Sequence, residues 1–248
     1  MNNNIIVREA TVADAHFADT ITNEMAESAK ARGTGIAKRS PGYIKMKMEE
    51  GKAVIATTPA GEWVGFCYIE SWEHEKFVAN SGLVVSPTFR KSGVATLIKR
   101  KVFDLSRKRY PDAKIFGLTT GLAVMKINSD LGYEPVTYSE LTTDEEFWKG
   151  CQSCVNYDIL KSKERKNCMC TAMLYDPLEV AKKQAELSQT VVTPEGELEH
   201  HKKREFKGNF KLFERWVRFK QFVLLKGWRK KDEEGESKKP GFLSFLFW

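Results

Sequence analysis

The hydrophobic pattern of the first 177 residues alternates between strand-like and helix-like stretches. β-branched and aromatic residues dominate short runs at 5–8, 53–57, 63–70, 77–85, 115–120 and 169–175. Apolar residues recur at helical spacing at 11–30, 41–51, 92–108 and 122–131. Strands that alternate with helices predict a mixed α/β or α+β domain.

The composition changes after residue 177, and this change predicts three parts of the chain. We assign residues 1–177 to a folded domain with a cysteine-rich insertion at about 140–170, residues 178–205 to a polar linker, and residues 206–248 to a basic amphipathic helix and tail. On a helix, the aromatic residues of 206–231 form one wide face and most basic residues lie opposite. That pattern suits docking on the folded domain or on a partner subunit, and it also suits a peripheral membrane helix.

The net charge of +7 is confined to the C-terminal part of the chain. The last 50 residues carry 14 Lys/Arg and 7 Asp/Glu, whereas the first 198 residues are neutral overall. A nucleic-acid-binding domain has a basic face on its folded part, so we do not expect a nucleic-acid partner. Apolar runs fall far short of the ~20 residues of a membrane-spanning helix, and the N-terminus has no secretory signal. We therefore expect a cytoplasmic protein, free or at the membrane periphery, and leave a homodimer open.

The segment 83–95 carries the clearest chemical signal. A strand runs into a short loop, and the loop opens a helix through Arg90-x-x-Gly93-x-Ala95. Free backbone N–H groups and the positive end of the helix dipole suit a pyrophosphate, and the small residues leave room for it. Arg90 and Lys91 add positive charge at the mouth of the loop. A glycine in the first turn of a helix can also reflect local backbone geometry alone.

The order of elements and two motifs resemble the GNAT superfamily of CoA-dependent N-acyltransferases. The R-x-x-G-x-A loop at 90–95 matches the family's Q/R-x-x-G-x-G/A loop, and L-G-Y at 131–133 looks like the family's ending of a later short helix. The resemblance covers about 5–136, with 169–175 as the seventh strand. It implies a central mixed, mostly antiparallel, splayed β-sheet flanked by helices, to which this chain adds a C-terminal helical extension.

The resemblance also implies acetyl-CoA or succinyl-CoA as the acyl donor. The pantetheine would lie between the fourth and fifth strands, and a backbone N–H there would polarise the thioester carbonyl. The implied CoA-binding positions are Leu83, Val84, Val85, Arg90, Lys91, Ser92, Gly93, Val94 and Ala95.

Two catalytic roles follow from the same resemblance. Asn128 stands where the family usually has a tyrosine that assists the leaving thiolate; an amide can donate a hydrogen bond to sulfur but does not readily deliver a proton. Alternatively, Asn128 is an ordinary polar residue on an exposed helix side. The acceptor amine needs a base, and Glu70, Glu73 and His74 are the nearest candidates. These three residues could instead form a solvated, charged hairpin.

The resemblance also implies that the acceptor binds beneath the loop between the first two helices. Arg32, Lys38 and Arg39 flank that glycine-containing turn and could hold an acidic acceptor, or form an exposed basic loop. The stretch 125–135, with the later cysteine-rich segment, further resembles a bacterial GNAT branch of arginine biosynthesis that acylates the α-amine of L-glutamate. This implies L-glutamate as the acceptor and leaves acetyl and succinyl donors open. The alternatives are a protein or other small-amine N-acetyltransferase and a non-catalytic acyl-CoA-binding module.

Four of the five cysteines fall in two close pairs. Cys151-x-x-Cys154 and Cys168-x-Cys170 could close a tetrahedral zinc site. They could also be reduced structural cysteines, since Cys168 and Cys170 would share one face of a strand. Cys67 lies on a predicted strand and is expected in the core.

Overall fold

The structure, a computed structural model, describes residues 4–31, 33 and 38–189, with side chains to residue 186. These residues belong to the first of two units of the chain, Met1–Leu198 and Glu199–Trp248. The predicted amphipathic helix and tail at 206–248 and the candidate acceptor ligand Arg32 lie outside the described residues. None of the helices in the described part combines the length and apolar character that a membrane crossing requires.

Seven strands form one mixed sheet: six correspond to the predicted strand-like runs, and the short β6 was not among them. In chain order they are β1 (Ile6–Glu9), β2 (Ala53–Thr57), β3 (Trp63–Trp72), β4 (Phe77–Val85), β5 (Lys114–Thr119), β6 (Glu134–Val136) and β7 (Thr171–Tyr175). The order across the sheet is β1-β2-β3-β4-β5-β7-β6. Neighbouring strands run antiparallel except β4 and β5, which are parallel and are joined by a helical crossover. The predicted fold class is therefore confirmed.

Seven α-helices are described. They are α1 (Ala18–Ala31), α2 (Pro41–Glu49), α3 (Val94–Arg109), α4 (Leu122–Asp130), α5 (Glu145–Lys149), α6 (Tyr157–Ser162) and α7 (Pro177–Gln189). The predicted helix from residue 11 begins instead with a 3₁₀ turn over Val12–Phe17, because Asp14 accepts hydrogen bonds from the Arg8 guanidinium and the Thr11 N–H. Helix α7 occupies the first part of the segment predicted as linker, so the linker cannot begin at 178.

The helices cover both faces of the sheet. Helices α1 and α2 pack on one face, where Ile21, Met25 and Ile44 belong to one core cluster with Phe66 of β3. Helix α3 packs on the other face, since a Cβ atom on Gly65 would lie 2.7 Å from Ile98 Cδ1. Side chains alternate along a strand, so residues of β3 and β4 can be assigned to the α1/α2 face or to the α3 face.

The connection from β6 to β7 is a compact insertion rather than a long loop. It contains α5, a 3₁₀ turn at Gly150–Ser153 and α6. Trp148 and Leu160 pack on Phe116 of β5 and Leu174 of β7 in a second core cluster, which also contains Ala79 of β4. The insertion therefore lies on the α1/α2 face of the sheet, over its β5–β7 half.

Candidate active site

A wedge-shaped gap opens in the middle of the sheet. Strands β4 and β5 pair only where Phe77, Val78 and Ala79 face Lys114, Ile115 and Phe116. Beyond this point β4 continues along β3 to its end, and β5 continues along β7. Among the described residues no strand fills the space between them, so an extended ligand can pair with either edge.

A β-bulge in β4 accounts for the divergence of the two strands. Tyr68 pairs with Ser81 and Phe66 pairs with Val84, so two steps along β3 match three along β4. Within the bulge Gly82 has φ +66°, and a Cβ atom there would overlap the Tyr68 ring and stand 2.8 Å from the Met25 methyl group. Glycine alone fits this backbone and this space, and the extra residue bends β4 away from β5.

An anion cradle lies at the mouth of the gap. Lys91 has φ +62° and Gly93 has φ +85°, and both are exposed where the loop turns into α3. Within the described residues the backbone N–H groups of 91–95 have no hydrogen-bond acceptor. Five free donors at the positive end of a 16-residue helix form a binding site for a phosphate or pyrophosphate.

The Arg90 side chain connects the loop to α1 and is not free to bind a ligand. Its guanidinium contacts Glu24 Oε1 at 2.5 Å and Ser28 Oγ at 2.7 Å, and its Nε donates to the Val85 carbonyl at 3.1 Å. The ion pair with Glu24 offsets its charge. Both cations are exposed, but Arg90 is paired and orders the loop, whereas Lys91 has no ion pair among the described residues.

Asn128 lies on α4 against the gap. It is 1% exposed, so its interpretation as a polar residue on an exposed helix side is wrong. Its Nδ2 donates to Met173 Sδ at 3.7 Å and lies 3.8 Å from the Cβ position of Gly117, the first β5 residue beyond the pairing with β4. Its Oδ1 is buried without a hydrogen-bond partner among the described residues. Such an orphaned amide oxygen is costly, and a ligand N–H in the gap would satisfy it.

Glu70 lies on the opposite face of the sheet and is 5% exposed. Its Oε1 accepts hydrogen bonds from Arg39 Nη2 at 2.9 Å and from the Tyr43 hydroxyl at 2.5 Å. Burial, followed by the charge of Glu70, raises the pKa of Tyr43 far above its usual value, so this hydroxyl stays protonated and donates. Arg39 also donates to the Tyr68 hydroxyl at 3.0 Å. Glu70 pairs with Ala79 of β4, one residue before the gap opens.

The predicted basic roof of the acceptor site is only partly described. Arg39 is not an exposed loop residue, because its guanidinium is held by Glu70 and Tyr68 on the sheet. Lys38 is exposed, and its backbone N–H donates to Ser153 Oγ of the insertion at 3.3 Å. The insertion thus holds the segment that enters α2.

Glu73 and His74 lie away from Glu70 and from the gap. They occupy the β3–β4 turn, where Glu73, His74 and Glu75 have φ of +50°, +54° and +68°. Glu73 Oε1 accepts hydrogen bonds from the Thr142 hydroxyl and from Thr143, and the Thr142 bond lowers the Glu73 pKa. This turn is roughly 16 Å along β4 from the bulge at ~3.3 Å per residue. The three predicted bases therefore do not form one group, and Glu70 is the one beside the gap.

The four cysteines of the insertion approach one another. A hydrogen bond with Cys168 and then burial raise the Cys170 pKa well above its usual value, and Cys151 and Cys154 also interact with Cys170. Cys168 and Cys170 precede β7, so they do not share a strand face as the structural alternative supposed. As the thiols stand, no three His, Cys, Asp or Glu side chains among the described residues could hold a metal ion. Cys67 is fully buried in β3, as expected.

Sequence reasoning missed the groups that organise Glu70. Tyr43 and Tyr68 were predicted only as parts of a helix and a strand, and their hydroxyls converge here from α2 and β3. The bulge did have a signal, since a glycine within a β-rich run often marks one.

No protein-family model and no curated protein matches the chain. Solved structures do. The N-acetylglutamate synthase of Neisseria gonorrhoeae, complexed with coenzyme A and N-acetyl-glutamate, has a TM-score of 0.50 and 14% identity, covering 71% of this chain and 36% of its own. This chain thus spans little more than a third of that protein's length.

Two further structures are similar. A GNAT superfamily phosphinothricin acetyltransferase from Sinorhizobium meliloti, in complex with AcCoA, has a TM-score of 0.47 and 14% identity, covering 69% of this chain and 88% of its own. The diaminobutyrate acetyltransferase of Paenibacillus lautus, in complex with L-2,4-diaminobutyric acid and coenzyme A, has a TM-score of 0.48 and 9% identity, covering 71% and 96%. At these identities the likeness concerns architecture. With its seven-stranded sheet divided between β4 and β5, the chain has the GNAT acetyltransferase fold.

Proposed function

We propose that the protein is a CoA-dependent N-acyltransferase that moves an acyl group from acyl-CoA to the amine of a small amino acid, with L-glutamate as the acceptor. The observation that carries this proposal is the gap between β4 and β5 with an anion cradle at its mouth. A pantetheine arm is extended and bears two amides, so it can pair with a strand edge. Its pyrophosphate then meets the free N–H groups at the start of α3.

The donor lies along the second half of β4. The backbone of Leu83, Val84 and Val85 pairs with the pantetheine amides, and the loop 90–95 binds the pyrophosphate. A backbone N–H at the bulge polarises the thioester carbonyl and stabilises the oxyanion that forms when the amine attacks. The C–N bond forms as the amine attacks the carbonyl carbon, and collapse of the oxyanion then restores the carbonyl and breaks the C–S bond to release CoA thiolate.

Glu70 is the base for the acceptor amine. Arg39 and Tyr43 hold one carboxylate oxygen, and the other has no hydrogen-bond partner within the described residues. That second oxygen takes the ammonium proton, directly or through a water molecule. Arg39 and Tyr43 act through Glu70 as positioning residues.

An acidic acceptor fits the cations beside Glu70. Lys38 is exposed at the entrance to α2 and can meet a carboxylate of L-glutamate; Arg32 stays a predicted acceptor ligand, since it lies outside the described residues. Arg39, held on the sheet by Glu70 and Tyr68, adds positive potential beside Glu70. The complex of the gonococcal enzyme with N-acetyl-glutamate supports an acceptor of this class. This assignment places the reaction in arginine biosynthesis in the cytoplasm, with acetyl-CoA or succinyl-CoA as donor.

Asn128 assists the departing sulfur by hydrogen bonding rather than by proton transfer. Its Nδ2 already donates to a sulfur, that of Met173, at 3.7 Å. The thiolate leaves with this donor nearby and takes its proton from water. Asn128 and Glu70 lie on opposite faces of the sheet, so the leaving group and the base do not compete for one position.

The test is release of CoA thiol from acetyl-CoA and succinyl-CoA, each with L-glutamate, D-glutamate or no acceptor. We expect release that depends on L-glutamate, with N-acylglutamate identified by mass spectrometry. Glu70→Gln should keep acyl-CoA binding and lose turnover, because a glutamine oxygen still accepts from Arg39 and Tyr43 but takes no proton. Glu73→Gln is the matched control and should turn over normally. Tight acyl-CoA binding without release on any amino acid would refute the glutamate assignment.

A second function, a non-catalytic acyl-CoA-binding module, is favoured by one observation. Glu70, the candidate base, is already in an ion pair with Arg39 at 2.9 Å. The same assay decides: such a module would bind acyl-CoA with Glu70→Gln and wild type equally and release thiol with neither.

A further inference from the structure

The insertion brings four thiols from two segments into one cluster. Cys151 and Cys154 lie in a tight turn that is closed by a hydrogen bond from the Cys154 N–H to the Cys151 carbonyl at 3.0 Å. Cys168 and Cys170 come from the bend that leads into β7. Electrostatic interactions connect Cys170 with the other three, and Cys151 with Cys154 and Cys168. The proposed acyl transfer uses none of them.

The peptide groups of Asn156 join the two pairs. Its N–H donates to Cys154 Sγ at 3.4 Å, and its carbonyl accepts from the Cys168 thiol at 3.8 Å. Asn156 therefore connects the Cys-x-x-Cys turn directly to the second cysteine pair. N–H groups directed at sulfur are ordinary outer contacts of metal-bound cysteines.

The walls around the thiols are formed by the core of the insertion. Cys168 is 6% exposed and packs with Tyr138 and Trp148, and Cys151 packs against the same group. The Tyr138 hydroxyl donates to the Cys170 carbonyl at 2.9 Å and so fixes the second pair. Arg165 provides a cation that interacts with Cys151. Such outer contacts orient ligands and offset the negative charge of a four-thiolate site.

We propose that Cys151, Cys154, Cys168 and Cys170 bind one structural zinc ion as four thiolates. Zinc favours four sulfur ligands in a tetrahedron, and short cysteine spacings from two segments are its usual source. Closing the site releases the thiol protons to solvent as the metal binds. It also requires the thiols to move from their present positions, in which no three of the described candidate ligands could hold a metal ion.

Zinc bound by these cysteines would order the part of the candidate active site where the acceptor is proposed to bind. Ser153 lies between Cys151 and Cys154, and its Oγ accepts the Lys38 N–H at 3.3 Å. The ion would therefore fix the turn that holds the entrance to α2. This consequence rests on the proposed function: metal loss should raise KM for the acceptor more than KM for acyl-CoA.

The test starts with metal analysis of the full-length chain, purified without chelator and with any tag removed. We expect about one zinc per chain. Cys154→Ser and Cys168→Ser should fall below about a tenth of this value, since each removes a ligand. Cys67→Ser is the matched control and should keep its zinc, because Cys67 donates only to the Ser81 carbonyl and serine can do the same.

A second measurement does not depend on how the variants fold. Cobalt(II) added to chelator-treated, reduced wild-type protein should give thiolate-to-cobalt charge-transfer and tetrahedral d–d bands, and zinc should displace them. Less than about a tenth of a zinc per chain together with no such bands would overturn the proposal. So would bound iron in place of zinc, or equal zinc in wild type and both cluster variants. Because neither measurement uses an acyl donor, zinc in a chain inactive toward glutamate would refute only the proposed function.

Discussion

Gly82 offers the most direct test of how the gap is built. Alanine at this position meets two costs. The left-handed backbone at φ +66° disfavours a side chain by about 1–2 kcal/mol. The new methyl group overlaps the Tyr68 ring and stands 2.8 Å from Met25 Cε within the α1/α2 core, and overpacking of this kind costs about 1–3 kcal/mol. Gly82→Ala should therefore lose about 2–5 kcal/mol of the free energy of unfolding.

Gly61→Ala separates the two costs. Gly61 has φ +85° but nothing within 4 Å of its Cβ position, so only the backbone cost of about 1–2 kcal/mol applies. The assay is urea unfolding of both variants and wild type, followed by tryptophan fluorescence and analysed with a common m-value. If Gly82→Ala is no less stable than Gly61→Ala, the close packing at the bulge is refuted.

Three further predictions concern the cradle and two ionisable groups. Ala95→Glu places a carboxylate among the free N–H groups and should weaken CoA binding at least about tenfold. It should not lower stability, since an acidic residue suits the first helical turn. Leu97→Glu, at an exposed position of the same helix, is the control, and equal CoA affinities of the two variants by calorimetry would refute anion binding by the loop. Burial lowers the pKa of Lys99 to about 8 in the folded protein, whereas an unfolded lysine has a pKa of about 10.4. Between these two pH values the unfolded state binds more protons, so the free energy of unfolding of the wild type should rise with pH across this range. Lys99→Met should abolish that rise in unfolding experiments across this range; a persistent rise would show that another group titrates. The Arg8 guanidinium lowers the pKa of Asp14, so the stability that Asp14 adds over Asp14→Asn, about 1–3 kcal/mol, should be present above about pH 4 and vanish as pH falls further. A difference that does not change in acid would argue against the ion pair.

The sequence predicted the sheet well because its signals are local. β2 and β4 have the predicted bounds, and each is an apolar run that ends at a turn. The start of α1 was predicted less well, since the Arg8–Asp14 ion pair reshapes its first turn. Helix α7 was missed because its segment is polar; Lys183 on this helix forms an ion pair with Glu134 of β6, which no local pattern shows.

The site was harder to predict because it depends on contacts between distant residues. Glu70 and His74 are neighbours in sequence, but a strand followed by a left-handed turn carries them apart. Glu70 meets Arg39 and Tyr43, which lie about thirty residues earlier. The hydrogen bond of the Asn128 amide is made to Met173 of β7, and Met173 reaches this position only because β7 lies beside β5 in the sheet.

The short seam between β4 and β5 divides the sheet into two parts that are each continuous in sequence. β1 to β4 come from the first 85 residues and β5 to β7 from residues 114–175, and three residues of each strand form the seam. Backbone amides at the seam should exchange with solvent faster than those of β2 and β3. A ligand that pairs with both strand edges would protect amides in both parts at once, so hydrogen exchange should report its binding across the sheet.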